Sequence, residues 1–295
     1  MTRAASRDPL AGWEAHMGSA LVLGGGGITG IAWETGLLFG LEQAGVHLRT
    51  ADRLVGTSAG STVAAQLASG TPLERLFEAQ RRGTVGERAA KLSPMDILRL
   101  VGGLAFARDR PKAIRSLGQA SLERTDPADA EARRAIIAER VPVSDWPDRD
   151  LLIAANDVLT GKLRAFTAAD GVPLVDAVGA SCAVPLVWPP VDIEGRYYID
   201  GGLPFSANVQ LAAGCDRVVV IAPLTSGIGA GTSVRAQVKA LGPGVQSLVL
   251  SPDREAKRAL GRNSLDPAAR EASAAAGRLQ AERVAAEAAA FWGKA

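Results

Sequence analysis

The chain has 295 residues, 47% of them hydrophobic, and its 33 basic and 31 acidic residues leave a formal net charge of +2. These values predict a folded domain with a large core, exclude an intrinsically disordered protein and give no reason to expect nucleic acid as a partner. The two cysteines, Cys182 and Cys215, form no disulfide framework and have no metal-ligand spacing, so we expect no metal and a reducing compartment.

Residues 1–18 are predicted to form a loose N-terminal arm. The arm carries charged residues and lacks the apolar centre of a signal peptide, and no later run reaches the roughly 18 apolar residues that a membrane-spanning helix needs. We therefore expect a cytoplasmic protein whose contact with a membrane, if it has one, is peripheral.

Two strand-turn-helix units open the domain predicted over residues 19–295. The first has a strand at Ser19–Leu23, four glycines and a helix from Ile31 to Ala44; the second has a strand near Ala51–Val55 and a helix over Ser61–Ala68. This repetition predicts an α/β fold with a mostly parallel sheet.

From about residue 72 to 147 the pattern becomes helical and rich in arginine, and we predict a helical cap there. Its apolar stretch Met95–Phe106 is flanked by basic residues. Two interpretations stay open: a cap helix that touches lipid, with cations near anionic head groups, and a buried cap helix.

The sheet is predicted to resume after the cap, and a long C-terminal helix over about 267–292 is predicted to lie on the body of the domain. That helix has only Leu279, Val284 and Phe291 as sparse apolar positions. The later strands are predicted at Asp150–Asn156, Leu163–Thr167, Arg196–Ile199, Arg217–Ala222 and Ser247–Ser251.

Gly56-Thr57-Ser58-Ala59-Gly60 stands where the second strand turns into its helix, as in a nucleophile elbow. Glycines on both sides of the serine allow two backbones to pass closely. Ser58 is therefore the candidate nucleophile, with its hydroxyl expected to project, exposed, from the edge of the sheet.

The glycines that follow the first strand offer backbone N–H groups to an oxyanion or a phosphate. Gly25 to Gly30 also match the dinucleotide fingerprint, which needs an acidic residue at the end of the second strand. Asp52 has nearly the right spacing but precedes the apolar Leu54-Val55, which argues against that alternative.

A serine nucleophile needs a base, and the sequence offers two histidines. His16 lies in the predicted arm and His47 precedes the strand that leads to Ser58, at the wrong end for the catalytic edge. Asp200 is the better candidate, because it ends the strand Tyr197–Ile199, where the catalytic face of a parallel sheet would lie.

In this order, Gly-Gly-Gly-x-x-Gly, Gly-x-Ser-x-Gly and Asp-Gly-Gly resemble the patatin-like phospholipases, and Ala180-Ser181-Cys182-Ala183-Val184-Pro185 is similar to that family's segment ahead of its aspartate. The resemblance implies a three-layer α/β sandwich with a Ser-Asp dyad and no cofactor. It implies Ser58 as nucleophile, Asp200 as general base and the amides of Gly25, Gly26 and Gly27 as oxyanion hole. Thr29 stands where the family often has Arg or Lys.

The sequence thus predicts a serine hydrolase that cleaves acyl esters of lipids. Two alternatives from other classes stay open: a non-catalytic lipid-binding protein on the same scaffold and, less favoured, a dinucleotide-binding protein.

Overall fold

The computed structural model of the chain describes residues 18–82, 93–141, 143 and 145–293. The predicted N-terminal arm, apart from Gly18, lies outside these residues, and so does the segment 83–92 of the predicted cap.

Within the described residues, eight strands form a single sheet. The strands are β1 (Ser19–Leu23), β2 (Arg53–Thr57), β3 (Asp150–Asp157), β4 (Leu163–Phe166), β5 (Val191–Ile193), β6 (Arg196–Asp200), β7 (Arg217–Ile221) and β8 (Gln246–Leu250). Strands β3, β2, β1, β7 and β8 are parallel neighbours in that order. The pairs β3–β4, β3–β6 and β5–β6 are antiparallel.

The helices cover both faces of this sheet. They are α1 (Gly27–Gln43), α2 (Ala59–Ala68), α3 (Leu73–Arg82), α4 (Pro94–Ala105), α5 (Arg110–Leu122), α6 (Pro127–Arg140), α7 (Leu174–Ser181), α8 (Val234–Ala240), α9 (Arg254–Leu260) and α10 (Arg270–Trp292). Alternate residues of β1 enter different cores, Leu21 and Leu23 one and Ala20 and Val22 the other. A strand buried on both faces is continuously apolar. The predicted three-layer, mostly parallel α/β fold is confirmed.

Helix α1 begins at Gly27, four residues earlier than the sequence indicated. The Gly30 amide already donates to the Gly26 carbonyl at 2.9 Å. The low helix propensity of glycine predicts a loop for all four glycines, but tertiary packing overrides this propensity. A Cβ at Gly26, for example, would lie 2.5 Å from Cβ of Pro223. The last two glycines of the run therefore form the N-cap and the first residue of the helix.

Helix α10 packs along α1 through small residues. A Cβ at Gly36 would lie 2.0 Å from the Ala274 carbonyl oxygen, and one at Gly277 would lie 2.3 Å from that of Trp33. Leu279, one of the apolar residues that drew attention in the sequence, is 49% exposed. The contact with α1 depends on close backbone approach at these glycines, while Val284 and Phe291 of α10 pack against the main core.

The predicted cap stretch contains α3 to α6. Helix α3 packs against α1, where the Phe39 and Phe77 rings stack with centroids 5.0 Å apart. Helices α4 and α5 contribute Leu104 and Ile114 to a separate cluster that contains Ile199 of β6. The cap stays a prediction, and the packing of α3 on the body favours a boundary after α3.

In the part of the chain that the structure describes, no helix is both long enough and apolar enough to cross a membrane.

Candidate active site

Ser58 lies on a sharp turn between β2 and α2, with φ 52° and ψ −118°. A residue with a side chain holds such backbone angles only where its surroundings enforce them. A Cβ at Gly56 would lie 2.5 Å from Cα of Ser61, and one at Gly60 would lie 2.2 Å from the Leu23 carbonyl oxygen. Both positions therefore require glycine, as the sequence pattern of an elbow predicted.

Strands β2 and β6 meet end to end on one side of β3. Strand β4 pairs with residues 153–156 of β3, a stretch that includes residues paired with β2 and residues paired with β6. Strand β4 therefore lies on one side of β3, and β2 and β6 both lie on the other side. Thr57 pairs with Ala154, and Asp200 pairs with the next residue, Ala155. The Ser58 hydroxyl donates a hydrogen bond of 2.7 Å to Oδ2 of Asp200 across this junction.

The position of Asp200 was predicted, but the reason given for it was wrong. Strand β6 runs antiparallel to β3, so its end is not the carboxyl end of a parallel strand. Asp200 reaches Ser58 because β6 approaches from beyond the end of β2 and stops there. Gly201 permits this stop, since a Cβ there would lie 2.1 Å from the Ala154 carbonyl oxygen.

Burial raises the pKa of Asp200 to about 6, with hydrogen bonds from Ser58 and Gly202 and the charge of Arg133 opposing that rise. Oδ1 accepts the Gly202 amide at 2.7 Å, while Oδ2 accepts the Ser58 hydroxyl. The Asp200 amide donates to the Ala183 carbonyl at 2.9 Å. The carboxyl group is thus held on both oxygens and at its backbone.

Two buried asparagines that sequence reasoning missed fix the backbone around the junction. Nδ2 of Asn156 donates to the carbonyls of Asp200 and Leu203 at 2.8 and 2.7 Å. Nδ2 of Asn208 donates to the Thr57 hydroxyl at 3.1 Å and to the Gly201 carbonyl at 2.8 Å. The only sequence signal was a polar residue, Asn156, at the end of an apolar strand.

The end of α7 holds the elbow from the other side. The Ser58 amide donates to the Ser181 hydroxyl at 2.9 Å, and Sγ of Cys182 lies 3.2 Å from the Ser58 carbonyl oxygen, to which it donates. Burial raises the pKa of the Cys182 thiol. Both Cys182 and Cys215 are free thiols. Through Ser181 and Cys182, the segment that resembled the family's motif supports the backbone of Ser58.

The amides of the glycine loop, Gly24 to Gly27, differ in whether they already donate a hydrogen bond within the fold. The Gly25 amide donates to the Ser206 carbonyl at 2.7 Å, so it is not available to an oxyanion. The amides of Gly26 and Gly27, by contrast, donate to no described backbone group. The first amides of a helix have no intrahelical partner. Of the three glycines that the sequence suggested, two remain candidates for an oxyanion hole.

Ser58 is 8% exposed, whereas the sequence suggested an exposed hydroxyl. It lines a cavity of about 20 Å³, which we call the serine cavity. Its walls include Gly27, Ser58, Arg133, Cys182, Trp188 and Leu265. A second space of about 360 Å³, the side cavity, shares Arg133 with it and is lined by Ile137, Val175, Ala183, Pro189 and Val191 among others.

The residues behind the weaker alternatives lie elsewhere. His47 lies before the first residue of β2, and its imidazole is 3.8 Å from the Glu42 carboxylate. His16 lies outside the described residues. Asp52 accepts hydrogen bonds from Ser19, which lower its pKa, and it is not at the end of β2 that leads to Ser58. Across the described ranges, no group of three or more His, Cys, Asp or Glu residues could hold a metal ion.

Solved structures similar to the chain include VipD from Legionella pneumophila (13% identity, TM-score 0.45) and the type III effector protein ExoU (16% identity, TM-score 0.41). The matches cover 92% of this chain in both cases, but 67% of VipD and 53% of ExoU, so the chain spans about half the length of the latter. The comparison with curated proteins found no match.

The family model described as "Patatin-like phospholipase" matches residues 21–213, well over half of the 295 residues. That range contains the glycine loop, the elbow and Asp200. The chain belongs to the patatin-like phospholipase family.

Proposed function

We propose that the protein is a serine-dependent lipid acyl hydrolase in which Ser58 is the nucleophile and Asp200 the general base. The observation that supports this proposal best is the hydrogen bond of 2.7 Å from the Ser58 hydroxyl to Asp200, made on a strained turn. A nucleophile within hydrogen-bond reach of a base is the arrangement that nucleophilic catalysis needs.

The proposed reaction is a two-step acyl transfer. Oγ of Ser58 attacks the ester carbonyl carbon while its proton passes to Oδ2 of Asp200. The Gly26 and Gly27 amides stabilise the resulting oxyanion. Collapse breaks the bond to the alcohol, which takes the proton from Asp200. Water then attacks the acyl-enzyme, gives a proton to Asp200, and the carboxylic acid leaves as Ser58 recovers that proton.

The substrate must be admitted by movement around the serine cavity. A space of about 20 Å³ holds roughly one water molecule. Movement of Arg133, which both cavities share, together with Trp188, which contacts it, would join the serine cavity to the side cavity. The side cavity has a volume of about 360 Å³, in the range of small-molecule sites. We propose that this joined space receives part of the lipid.

The same proposal includes peripheral contact with a membrane through α4. Its residues Met95, Ile97, Leu98 and Val101 are 57%, 48%, 64% and 44% exposed, and Phe106 directly after it is 89% exposed. Clustered exposed apolar side chains mark interaction sites. Arg99, Arg108 and Lys112 line an adjoining groove, which suits the anionic head groups of a bilayer surface.

A fluorophosphonate probe tests the proposed nucleophile, because only an activated serine reacts with it. We expect labelling of the wild type and of Ser69→Ala, a control on the same helical segment, and none of Ser58→Ala. Ser58→Ala should also abolish hydrolysis of a short p-nitrophenyl ester with little change in thermal stability. Asp200→Asn should eliminate turnover, since an amide cannot take the proton.

Other results would favour a different function. A folded wild type that binds lipid vesicles but neither reacts with the probe nor hydrolyses any ester would be a lipid-binding protein. Ester hydrolysis that survives in Ser58→Ala would remove this residue from the mechanism.

A further inference from the structure

Arg133 of α6 occupies an unusual place for an arginine. Its guanidinium carbon lies 4.0 Å from the centroid of the Trp188 ring, and both residues line the serine cavity with Ser58. Arg133 is only partly exposed, and burial lowers its pKa. A cation stacked on an indole face at this distance is in the range of a cation–π contact.

Arg133 makes neither an ion pair nor a hydrogen bond within the described part of the chain. The nearby Asp200 influences its pKa through charge alone. The next residue of α6 behaves differently, since Arg134 is paired with Asp176 at 2.7 Å. Even partial burial of a guanidinium without a hydrogen-bonded partner carries a desolvation cost, so a purely structural role would favour the arrangement seen at Arg134.

The N–H donors of Arg133 have no acceptor among the described residues and can bind a ligand. The planar fork of a guanidinium matches two oxygens of a phosphate or a carboxylate. Because Arg133 and Ser58 line the same small cavity, an anion held at this edge would lie close to the ester under attack.

We propose that Arg133 determines substrate specificity by binding the phosphodiester of a glycerophospholipid whose acyl ester reacts with Ser58. The proposal rests on the function proposed above and adds the residue that recognises the phosphate of the substrate. It assigns to Arg133 a contact with the substrate. This role is distinct from the effect of the Arg133 charge on the pKa of Asp200, which is the smallest of the effects on that carboxyl group.

The test compares two soluble substrates with the same acyl chains, dihexanoyl phosphatidylcholine and dihexanoylglycerol, which lacks the phosphate. Arg133→Gln should lower kcat/KM for the phospholipid by about ten- to a hundredfold, the usual worth of hydrogen bonds to a charged group, and change that for the neutral ester by less than about twofold. Arg133→Lys, which keeps the charge but loses the fork, should be intermediate. Arg75→Gln, at an exposed position of α3, controls for net charge.

Binding of inorganic phosphate gives a readout that does not depend on catalysis. We expect phosphate to raise the Tm of the wild type and of Arg75→Gln, and to inhibit hydrolysis of dihexanoylglycerol, but to have neither effect on Arg133→Gln. Phosphate inhibition without selectivity for the phospholipid would indicate a site for free phosphate and overturn the proposal.

Three further outcomes are distinguishable. An equal loss of kcat/KM for both substrates with an upward shift of the acid limb would make Arg133 a positioning residue for Asp200 and overturn the proposal. Unchanged kinetics in Arg133→Gln, with a native Tm, would show that the residue does not contact the substrate and would overturn the proposal. Absence of hydrolysis and of probe labelling in the wild type would contradict the proposed function, whereas phosphate binding would still report on Arg133.

Discussion

At the scale of single residues, Asp200 is subject to opposing influences. Its burial favours the protonated carboxyl group, whereas hydrogen bonds from Ser58 and Gly202 favour the carboxylate, and burial is the larger effect. A general base needs a pKa near the working pH. The environment of Asp200 therefore gives an aspartate the range in which histidine ordinarily works.

We predict an acid limb in the pH profile of kcat/KM, with its midpoint near the Asp200 pKa of about 6. The carboxylate must be ionised to accept the proton of Ser58, so activity should fall as the pH falls through this value and level off above it. Measurement of kcat/KM for a soluble ester from pH 4 to 9 checks the prediction.

The midpoint alone does not separate aspartate from histidine, whose ordinary pKa is about 6.5. His16→Gln and His47→Gln, singly and together, supply the control and should leave the limb in place. An inactive but folded double variant, together with an Asp200→Asn that keeps most of its rate, would show that the Ser-Asp assignment is wrong.

Glu34 of α1 is a buried acid outside the proposed mechanism. It is 0% exposed, and within the described residues neither carboxylate oxygen has a hydrogen-bond partner. Burial raises its pKa well above the ordinary 4.5, and the nearby Gly24 amide, which donates to Ile221 at 2.9 Å, offsets part of that rise. The folded state holds this proton more tightly than the unfolded chain does.

Glu34→Gln should therefore raise stability at neutral pH. Above the ordinary pKa of 4.5 the unfolded chain ionises while the folded state keeps the proton of Glu34, so the stability of the wild type falls as the pH rises from there towards the folded-state pKa. Glutamine keeps the shape without the charge. We expect a Tm gain of about 2 °C or more at pH 8 that disappears near pH 4, as measured by calorimetry. An equal gain at both pH values would contradict this account.

At the scale of elements, the packing of α10 on α1 depends on glycines that admit the other backbone. Gly36 lies against Ala274, and Gly40 lies against Ala281, where an added Cβ would be 2.5 Å from the alanine Cβ. Because α1 begins in the glycine loop, this contact also supports the N-terminal end of α1, which faces Ser58.

Gly36→Ala should destabilise the fold by about 1–3 kcal/mol, the usual cost of overpacking. Gly103→Ala is the matched control, since a Cβ in that helical position meets no atom within 4 Å, and it should stabilise α4 by about 0.5–1 kcal/mol. Denaturant unfolding of both variants tests the pair; equal effects would mean that the close approach carries no cost.

Local patterns in the sequence predicted most of the parallel strands, the elbow and the positions of Ser58 and Asp200. They did not predict β5, the direction of β6 or the occupied Gly25 amide, because each of these depends on pairing between distant segments. Asn208 and Arg133 were missed for the same reason: an asparagine in a loop and an arginine in a basic helix carry no local sign of what they face.

At the scale of the whole molecule, the proposed membrane contact predicts a measurable preference. The exposed face of α4 and the cations of its groove should bind anionic vesicles more strongly than neutral ones, and high salt should weaken the difference because it screens exposed charges. Leu98→Ser combined with Phe106→Ser should reduce recovery in liposome flotation.

Leu279→Ser removes an exposed leucine from α10 and serves as the matched control; it should leave flotation unchanged. Equal recovery with neutral and anionic vesicles at low and high salt would refute the electrostatic part. Full recovery of the double α4 variant would refute the apolar part.

Because β2 and β6 meet end to end against β3, the distance between Ser58 and Asp200 can change only in discrete steps. Each strand can shift along β3 only in whole residues, about 3.3 Å at a time, and a single step would separate Ser58 from Asp200 by more than any hydrogen bond spans. Substitutions that keep both registers therefore leave the pair in contact, while one inserted residue in β3 between Ala154 and Ala155 breaks it. The contact between Ser58 and Asp200 should therefore tolerate wide change in composition and almost none in chain length.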